Sequence, residues 1–143
     1  MTGPAKIFMV EDHAPDVFLF RKALRDNQVE FHLTRFENGE QAVQALLRLD
    51  ELPDLFILDL NVPKIDGLDL LRLIRKDPSM ASVPIAILTS SRADQDKQDA
   101  MALGANCFIT KPADLSSFVR VVGGSIRELL NPPQDPLSNA QHA

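Results

Sequence analysis

Apolar and polar positions follow two periods along this chain, and the two periods take turns. KIFMV (6–10) is a short apolar run that reads as a buried strand. HAPDVFLFRKALRDN (13–27) follows, with Pro15 suited to a helix's first turn and Phe20, Ala23 and Leu24 at helical spacing. EFHLTRF (30–36) alternates as a strand does, and ENG turns the chain into EQAVQALLRL (40–49), where Ala42, Val43, Leu46, Leu47 and Leu49 form an apolar stripe. LFILD (55–59) is a third strand, and Gly67 opens the amphipathic segment LDLLRLIRK (68–76). PIAILTS (84–90) is a fourth strand, followed by the more polar helix RADQDKQDAMAL (92–103), ended by Gly104. NCFIT (106–110) is the fifth strand. DLSSFVRVVGGSIRELL (114–130) is the last helix, with Leu115, Phe118, Val119, Val122, Ile126 and Leu129 on one side. The remaining NPPQDPLSNAQHA (131–143) is a Pro-rich polar tail with no such pattern, expected to be disordered.

Five strand–helix units in strict alternation predict an α/β fold, a parallel sheet covered by helices on both faces. Five strands and this length favour the doubly wound, flavodoxin-like order 2-1-3-4-5 over the larger alternative. In such a sheet all strand carboxyl ends share one edge, and ligands bind there, where strand order reverses between strands 1 and 3. Strand 1 ends in Glu11 and Asp12, strand 3 in Asp59, strand 4 in Thr89 and Ser90, and strand 5 in Lys111 before Pro112. Three carboxylates, a hydroxyl and an ammonium thus converge on one crevice.

The composition narrows the setting. With 143 residues the chain suffices for one domain with a real core. A net charge of -5 with no basic stripe argues against general nucleic-acid binding. The single cysteine, Cys107, excludes an internal disulfide and a cysteine metal cluster, reads as a small core residue, and suits a reducing cytoplasm. MTGPAKIFMVED lacks a signal-peptide pattern, and no apolar stretch approaches the roughly 20 residues that span a bilayer. Neither membrane nor nucleic acid is therefore an expected partner.

Three close carboxylates repel one another and raise each other's pKa. A hard divalent cation such as Mg²⁺ relieves that repulsion, taking carboxylate and carbonyl oxygens while keeping room for phosphate. A further carboxylate can then serve as a nucleophile that forms an acyl phosphate. Lys111 and the Thr89 hydroxyl are suited to the phosphoryl oxygens.

VED (10–12), ILDLNVPKIDG (57–67), ILTS (87–90) and GANCFITKP (104–112), in this order and spacing, resemble the receiver domain of two-component response regulators. The likeness runs from about Lys6 to Leu130, so residues 1–130 are expected to form the receiver domain. The VED opening, LDLNVPKIDG and LTSS are similar in particular to stand-alone regulators paired with bacterial phytochromes. The resemblance implies that Asp59 accepts a phosphoryl group from a sensor histidine kinase or phosphotransfer protein. It implies Mg²⁺ held by Glu11, Asp12, Asp59 and the backbone carbonyl of Asn61. Thr89 and Phe108 would be switch residues, Lys111 the phosphate's partner, and Asn61 and Ser91 modulators of phosphoryl lifetime. Pro63 and Gly67 would shape the loop after Asp59, and the Lys111–Pro112 peptide would be cis. The surface of the fourth helix, fifth strand and fifth helix would meet partners or form a homodimer. Two departures stand out. Glu11 replaces the commoner Asp, which favours a water-mediated role, and Phe108 lacks a tyrosine's hydroxyl. With no output domain after Leu130, the output is expected to be a partner, a dimer or a relay step.

Plainer readings coexist with these. Asp59 could begin a turn, Thr89 could merely end a strand, Phe108 could be core, and Lys111 could be a solvated lysine. His13 reads as flanking or capping the first helix rather than as a metal ligand, and Asp66 with Gly67 as a turn into the third helix. Gly123 and Gly124 mark either a weakened helix or close approach by another surface, such as a partner helix. Two other functions fit less well. A haloacid-dehalogenase-type phosphatase wants an acid two residues after the nucleophile, where Asn61 stands. A flavodoxin-like flavin carrier wants a Ser/Thr/Gly-rich phosphate loop where this chain has EDHAPD, and the chain has no Trp or Tyr to stack on a flavin.

Overall fold

In the computed structural model, which describes residues 3–48 and 51–131, strands and helices alternate throughout. The order is β1 (Ala5–Val10), α1 (Ala14–Asp26), β2 (Phe31–Phe36), α2 (Gly39–Leu46), β3 (Leu55–Leu58), α3 (Gly67–Lys76), β4 (Ile85–Thr89), α4 (Asp94–Ala102), β5 (Cys107–Thr110) and α5 (Leu115–Leu130). The strands form one sheet in the order β2-β1-β3-β4-β5, and every neighbouring pair is parallel. The expected doubly wound α/β topology is the observed one.

Alternate strand residues serve opposite faces of the sheet. Ile7, Met9, Leu55, Ile57, Ala86, Leu88 and Ile109 pack under α1 and α5, against Phe20, Leu24, Phe118, Val122 and Ile126. Val10, Phe56, Leu58, Ile85 and Ile87 pack on the other side, against Leu70, Leu71 and Ile74 of α3, Ala42 of α2 and Ala100 of α4. Because β3 and β4 are covered on both faces, every residue of LFIL and IAILT is buried. The strand ends are therefore held rigidly, and groups placed there inherit that rigidity.

The element ends follow local chemistry. The Asp66 side chain accepts from the Leu68 backbone N–H at 2.8 Å and starts α3. Asn38 and Asp114 cap α2 and α5 in the same way. Gly104, at φ 105°, ends the turn after α4, where a residue with a Cβ would be strained. Arg75 donates to the carbonyls of Met80, Val83 and Gly104 and to Asn106, tying together the loops that enter β4 and β5.

Three expectations need correction or narrowing. The stripe of the second helix is shorter than its sequence pattern. Ala42 is buried and Val43 and Leu46 are half-buried, but Leu47 is 81% exposed. Five helical steps from Ala42 carry Leu47 well over 90° from the inward face. Leu49 lies outside the described residues, as does the tail from residue 132 onward. Leu115, at the first position of α5, is 51% exposed rather than part of the inward stripe. His13 stands at the N-cap position of α1, yet its side chain makes no capping hydrogen bond.

Gly123 does mark a close approach, but by the chain's own α1 rather than by a partner. A Cβ there would lie 2.0 Å from Asn27 Nδ2 and 2.6 Å from the Ala23 carbonyl oxygen. Asn27 needs that space to donate to the carbonyls of Ala23 and Val119 at 2.8 and 2.9 Å, bridging α1 to α5. Gly124 faces open space. Gly123→Ala is expected to destabilise the fold by about 1–3 kcal/mol through overpacking. Gly124→Ala should be neutral or stabilising by up to about 1 kcal/mol through helix propensity. Urea unfolding followed by far-UV circular dichroism checks the pair; equal shifts in the two variants would contradict this account of the α1–α5 contact.

Candidate functional site

The carboxyl edge of the sheet is built by four strand ends. Asp59 follows β3 directly, and its N–H donates to the Val10 carbonyl at 3.1 Å, which fixes it beside the acid pair after β1. Glu11 is anchored by its own N–H, bonded to the Phe36 carbonyl of β2 at 3.0 Å. Lys111 continues β5, its N–H bonded to the Thr89 carbonyl at 2.8 Å. Gly67 lets the loop after Asp59 fold back on that strand end, since a Cβ there would sit 2.5 Å from the Asp59 carbonyl oxygen and 2.6 Å from Leu60 Cα. The Pro63 carbonyl accepts from the N–H groups of Gly39 and Ile65, tying this loop to the start of α2.

These ends surround an open cavity of roughly 570 Å³. Glu11, Asp12, Asp59, Asn61, Ser90, Lys111 and Pro112 line it, together with His13, Asp16 and Ala113. At its floor the Lys111 ammonium meets three carboxylates. Nζ is 2.7 Å from Glu11 Oε1, 2.7 Å from Asp16 Oδ2 and 2.8 Å from Asp59 Oδ2. The bonds to Asp16 and Asp59 are well-directed hydrogen bonds. Glu11 Oε1 is close to the ammonium but meets no donor in hydrogen-bonding geometry. Asp59 Oδ1 accepts from the Asn61 N–H at 3.1 Å.

The charges answer to these contacts. Burial pushes the Glu11 carboxyl up to about 7, against the pull of the nearby Lys111 ammonium and with the Asp59 charge adding to the rise. Burial acts on Asp59 in the same sense, but Lys111, the Asn61 N–H and the Thr89 hydroxyl outweigh it and hold Asp59 below its usual range. For Lys111, burial is outweighed by the hydrogen bonds to Asp16 and Asp59 and by the nearby Glu11 carboxylate, so its ammonium is held above its ordinary pKa. Asp59 is thus an ionised, buried carboxylate beside a permanent cation, a suitable oxygen nucleophile.

Glu11, Asp12 and Asp59 each offer a carboxylate oxygen within 4.8 Å of the others. Hard oxygen donors at this spacing, one of them a buried Glu11 oxygen without a proper donor, suit Mg²⁺ or a similar divalent cation.

The remaining site residues fall into place unevenly. Thr89 is fully buried beside Asp59, and its Oγ1 accepts from the Ser91 N–H at 3.3 Å. Phe108 is half-buried against the core on the α3–α4 side, paired in register with Ile87. Ser91 is not in the cavity wall, which Ser90 supplies; its hydroxyl donates to Asp96 of α4. The implied cis peptide is corrected: Lys111–Pro112 is trans. The trans isomer is favoured by about 0.5–1 kcal/mol, and the ladder bond at the Lys111 N–H is made with Pro112 lying at the cavity lip.

Two residues escaped the sequence reading. Arg35, near the end of β2, donates from Nε to the Glu11 carbonyl and from Nη2 to the Asp12 carbonyl, both at 3.0 Å. It thereby holds the acid-bearing loop from behind. Strand order alone could have found it, since β2 ends beside β1. Asp16, in the first turn of α1, is the third partner of Lys111, signalled only by its position one turn beyond Asp12.

Comparison with known proteins settles the family. The model of the response regulator receiver domain matches residues 7–122. The chain belongs to that family. It is a receiver-domain response regulator of two-component signalling, and its relatives include phytochrome response regulators. It is 31% identical over 126 residues to response regulator Rcp1 of Synechocystis sp., covering 85% of this chain and 86% of that protein. Among solved structures it is similar to the phosphorylated cyanobacterial phytochrome response regulator RcpA, with a TM-score of 0.83, 34% identity, and 94% and 99% of the two chains covered. It is also similar to the Mn²⁺-bound form of Rcp1, with a TM-score of 0.83, 29% identity and coverage of 93% and 99%. The Glu-Asp-Asp cluster here fits the divalent-metal site of receiver domains.

A cation at this cluster requires Glu11 to give up its proton. With that carboxyl titrating at about 7 in the cation-free protein, affinity should be nearly constant above that pH. Below it, affinity should fall by up to about tenfold per pH unit for one coupled proton. Calorimetric Mg²⁺ titrations across this range, in buffers of different ionisation enthalpy, check both the trend and the released proton. An affinity that does not change through that pH would contradict the position given to Glu11.

Proposed function

We propose that this protein is a phosphorylation-controlled switch whose Asp59 takes a phosphoryl group from a sensor histidine kinase or a phosphotransfer protein. The observation that carries the reading is the ionised, buried Asp59 hydrogen-bonded to Lys111 on the cavity floor. In the transfer an Asp59 oxygen forms a bond to phosphorus, the donor's N–P bond breaks, and the imidazole leaves with a proton. Glu11, Asp12, Asp59 and the Asn61 carbonyl would hold Mg²⁺, which neutralises charge on the phosphoryl oxygens when bound. Lys111 supplies a second cation to those oxygens, and the Thr89 hydroxyl a hydrogen bond. The chain acts as a phosphoacceptor signalling domain that catalyses its own phosphorylation and dephosphorylation. Similarity to the cyanobacterial phytochrome response regulator RcpA supports a phytochrome-type histidine kinase as the donor, and the single cysteine suits a cytoplasmic location. No helix among the described residues is long and apolar enough to cross a membrane.

Transmission follows from what Thr89 gives up. Its hydroxyl receives the Ser91 N–H, and Ser91 in turn holds Asp96 on α4. A phosphoryl oxygen on Asp59 accepts from that hydroxyl and draws Thr89 toward Asp59, away from the Ser91 N–H, which loosens Ser91 and the start of α4. Phe108 then moves inward into the space Thr89 vacates, and the α4-β5-α5 surface changes for a partner or a second copy. Phosphorylation biases an equilibrium already present; it does not create a new fold. Asn61 and Ser91, flanking the phosphoryl group and the switch, set how long the phosphoryl group lasts. Residues 1–130 constitute the receiver, and 131–143 a tail outside it.

Intact mass after incubation with a small-molecule phosphodonor tests the reading. One phosphoryl adduct is expected, dependent on Mg²⁺ and absent in Asp59→Asn. No adduct on folded wild-type protein would reduce the chain to a receiver-shaped binding module. Thr89→Ala should still be phosphorylated on Asp59 but transmit less to its partner; full transmission by that variant would remove Thr89 from the mechanism.

A further inference from the structure

We infer that Asp16 is a positioning residue for Lys111, the group that keeps the ammonium aimed at Asp59 while the other two carboxylates change partners. This rests on the receiver reading of the site. Lys111 Nζ makes two well-directed hydrogen bonds, to Asp59 Oδ2 at 2.8 Å and to Asp16 Oδ2 at 2.7 Å. Its third carboxylate neighbour, Glu11, is 2.7 Å away but poorly directed. Asp59 is the phosphoryl acceptor, so its oxygens are committed to the new bond during transfer. Glu11 belongs to the group of carboxylates close enough to share a cation; Asp16 does not. Asp16 alone keeps its bond to Lys111 through both events.

Asp16 is itself well placed to act as an anchor. Its backbone N–H donates to the His13 carbonyl at 3.0 Å in the first turn of α1. The same Oδ2 that accepts from Lys111 lies 3.0 Å from His13 Nδ1, and the side chain is only 18% exposed. A lysine ammonium ends a flexible four-carbon stem, and its direction at a site is set by its acceptors. Without Asp16, one well-directed acceptor remains, and that one is lost on phosphorylation. The ammonium is then free to leave the line of the phosphoryl oxygens, and misplacement of a positioned group slows transfer.

The test has two arms. In the first, Mg²⁺-dependent phosphorylation of the full chain by acetyl phosphate is timed. Asp16→Ala is expected to slow it on the order of tenfold with cation affinity unchanged, and Asp16→Glu to restore most of the rate. In a Lys111→Ala background, adding Asp16→Ala should change nothing further, because the effect passes through Lys111. In the second arm, ¹⁵N NMR observes the Lys111 ammonium in unphosphorylated protein. Its exchange-protected signal should be present in the wild type, lost in Asp16→Ala and regained in Asp16→Glu. An unchanged ammonium signal in Asp16→Ala, or the same slowing with and without Lys111, would overturn the inference. Absence of any adduct on the wild type would instead count against the receiver reading, and the ammonium signal would still decide the role of Asp16.

Discussion

The site depends on one interaction: a single ammonium, Lys111, set among Glu11, Asp16 and Asp59 at the carboxyl edge of the sheet. Glu11 and Asp59 are almost fully buried and face one another with like charge. Neither could stay ionised there without a cation, because desolvation and mutual repulsion both favour the neutral acid. Lys111 settles the contest unevenly. Asp59, with Lys111 and the Asn61 N–H, keeps its charge; Glu11 is pushed toward neutrality by burial and by the Asp59 charge. Glu11 Oε2 accepts from the His13 N–H, but Oε1 has no hydrogen-bond donor and the cluster is short of positive charge, which is the property a divalent cation would satisfy.

The fold supplies the rest by geometry. Parallel strands put five carboxyl ends on one edge, and the order β2-β1-β3-β4-β5 opens the crevice where β1 and β3 meet. Two apolar layers clamp the strands below, so the ends move little. Movement is left to the polar links above them. Thr89 reaches Ser91, Ser91 reaches Asp96, and through them a change at Asp59 has a short physical route to α4.

Most of this was legible in the chain. Alternating periods gave the topology, and strand ends in that topology brought Glu11, Asp12, Asp59, Thr89 and Lys111 together. What escaped were features that depend on side-chain direction. The α2 stripe looked continuous through Leu47, but helical rotation turns that residue outward. Gly123 read as a possible docking point, yet the approaching surface is Asn27 of the same chain. Asp16 and Arg35 carry no motif; each matters because one atom group reaches a neighbour that sequence distance hides. The isomer of Lys111–Pro112 is likewise a tertiary outcome, and it is trans.

The central claim is that the Lys111-centred cluster receives a phosphoryl group on Asp59 and relays its arrival through Thr89. The most direct measurement is a crystal structure with Mg²⁺ and beryllofluoride, a tetrahedral mimic of the phosphoryl group. The account predicts beryllium on an Asp59 oxygen, Lys111 and the Thr89 hydroxyl both bonded to fluorides, and the hydrogen bond from the Ser91 N–H to Thr89 broken. Mimic bound at Asp59 with Lys111 turned away and Thr89 still bonded to Ser91 would contradict it.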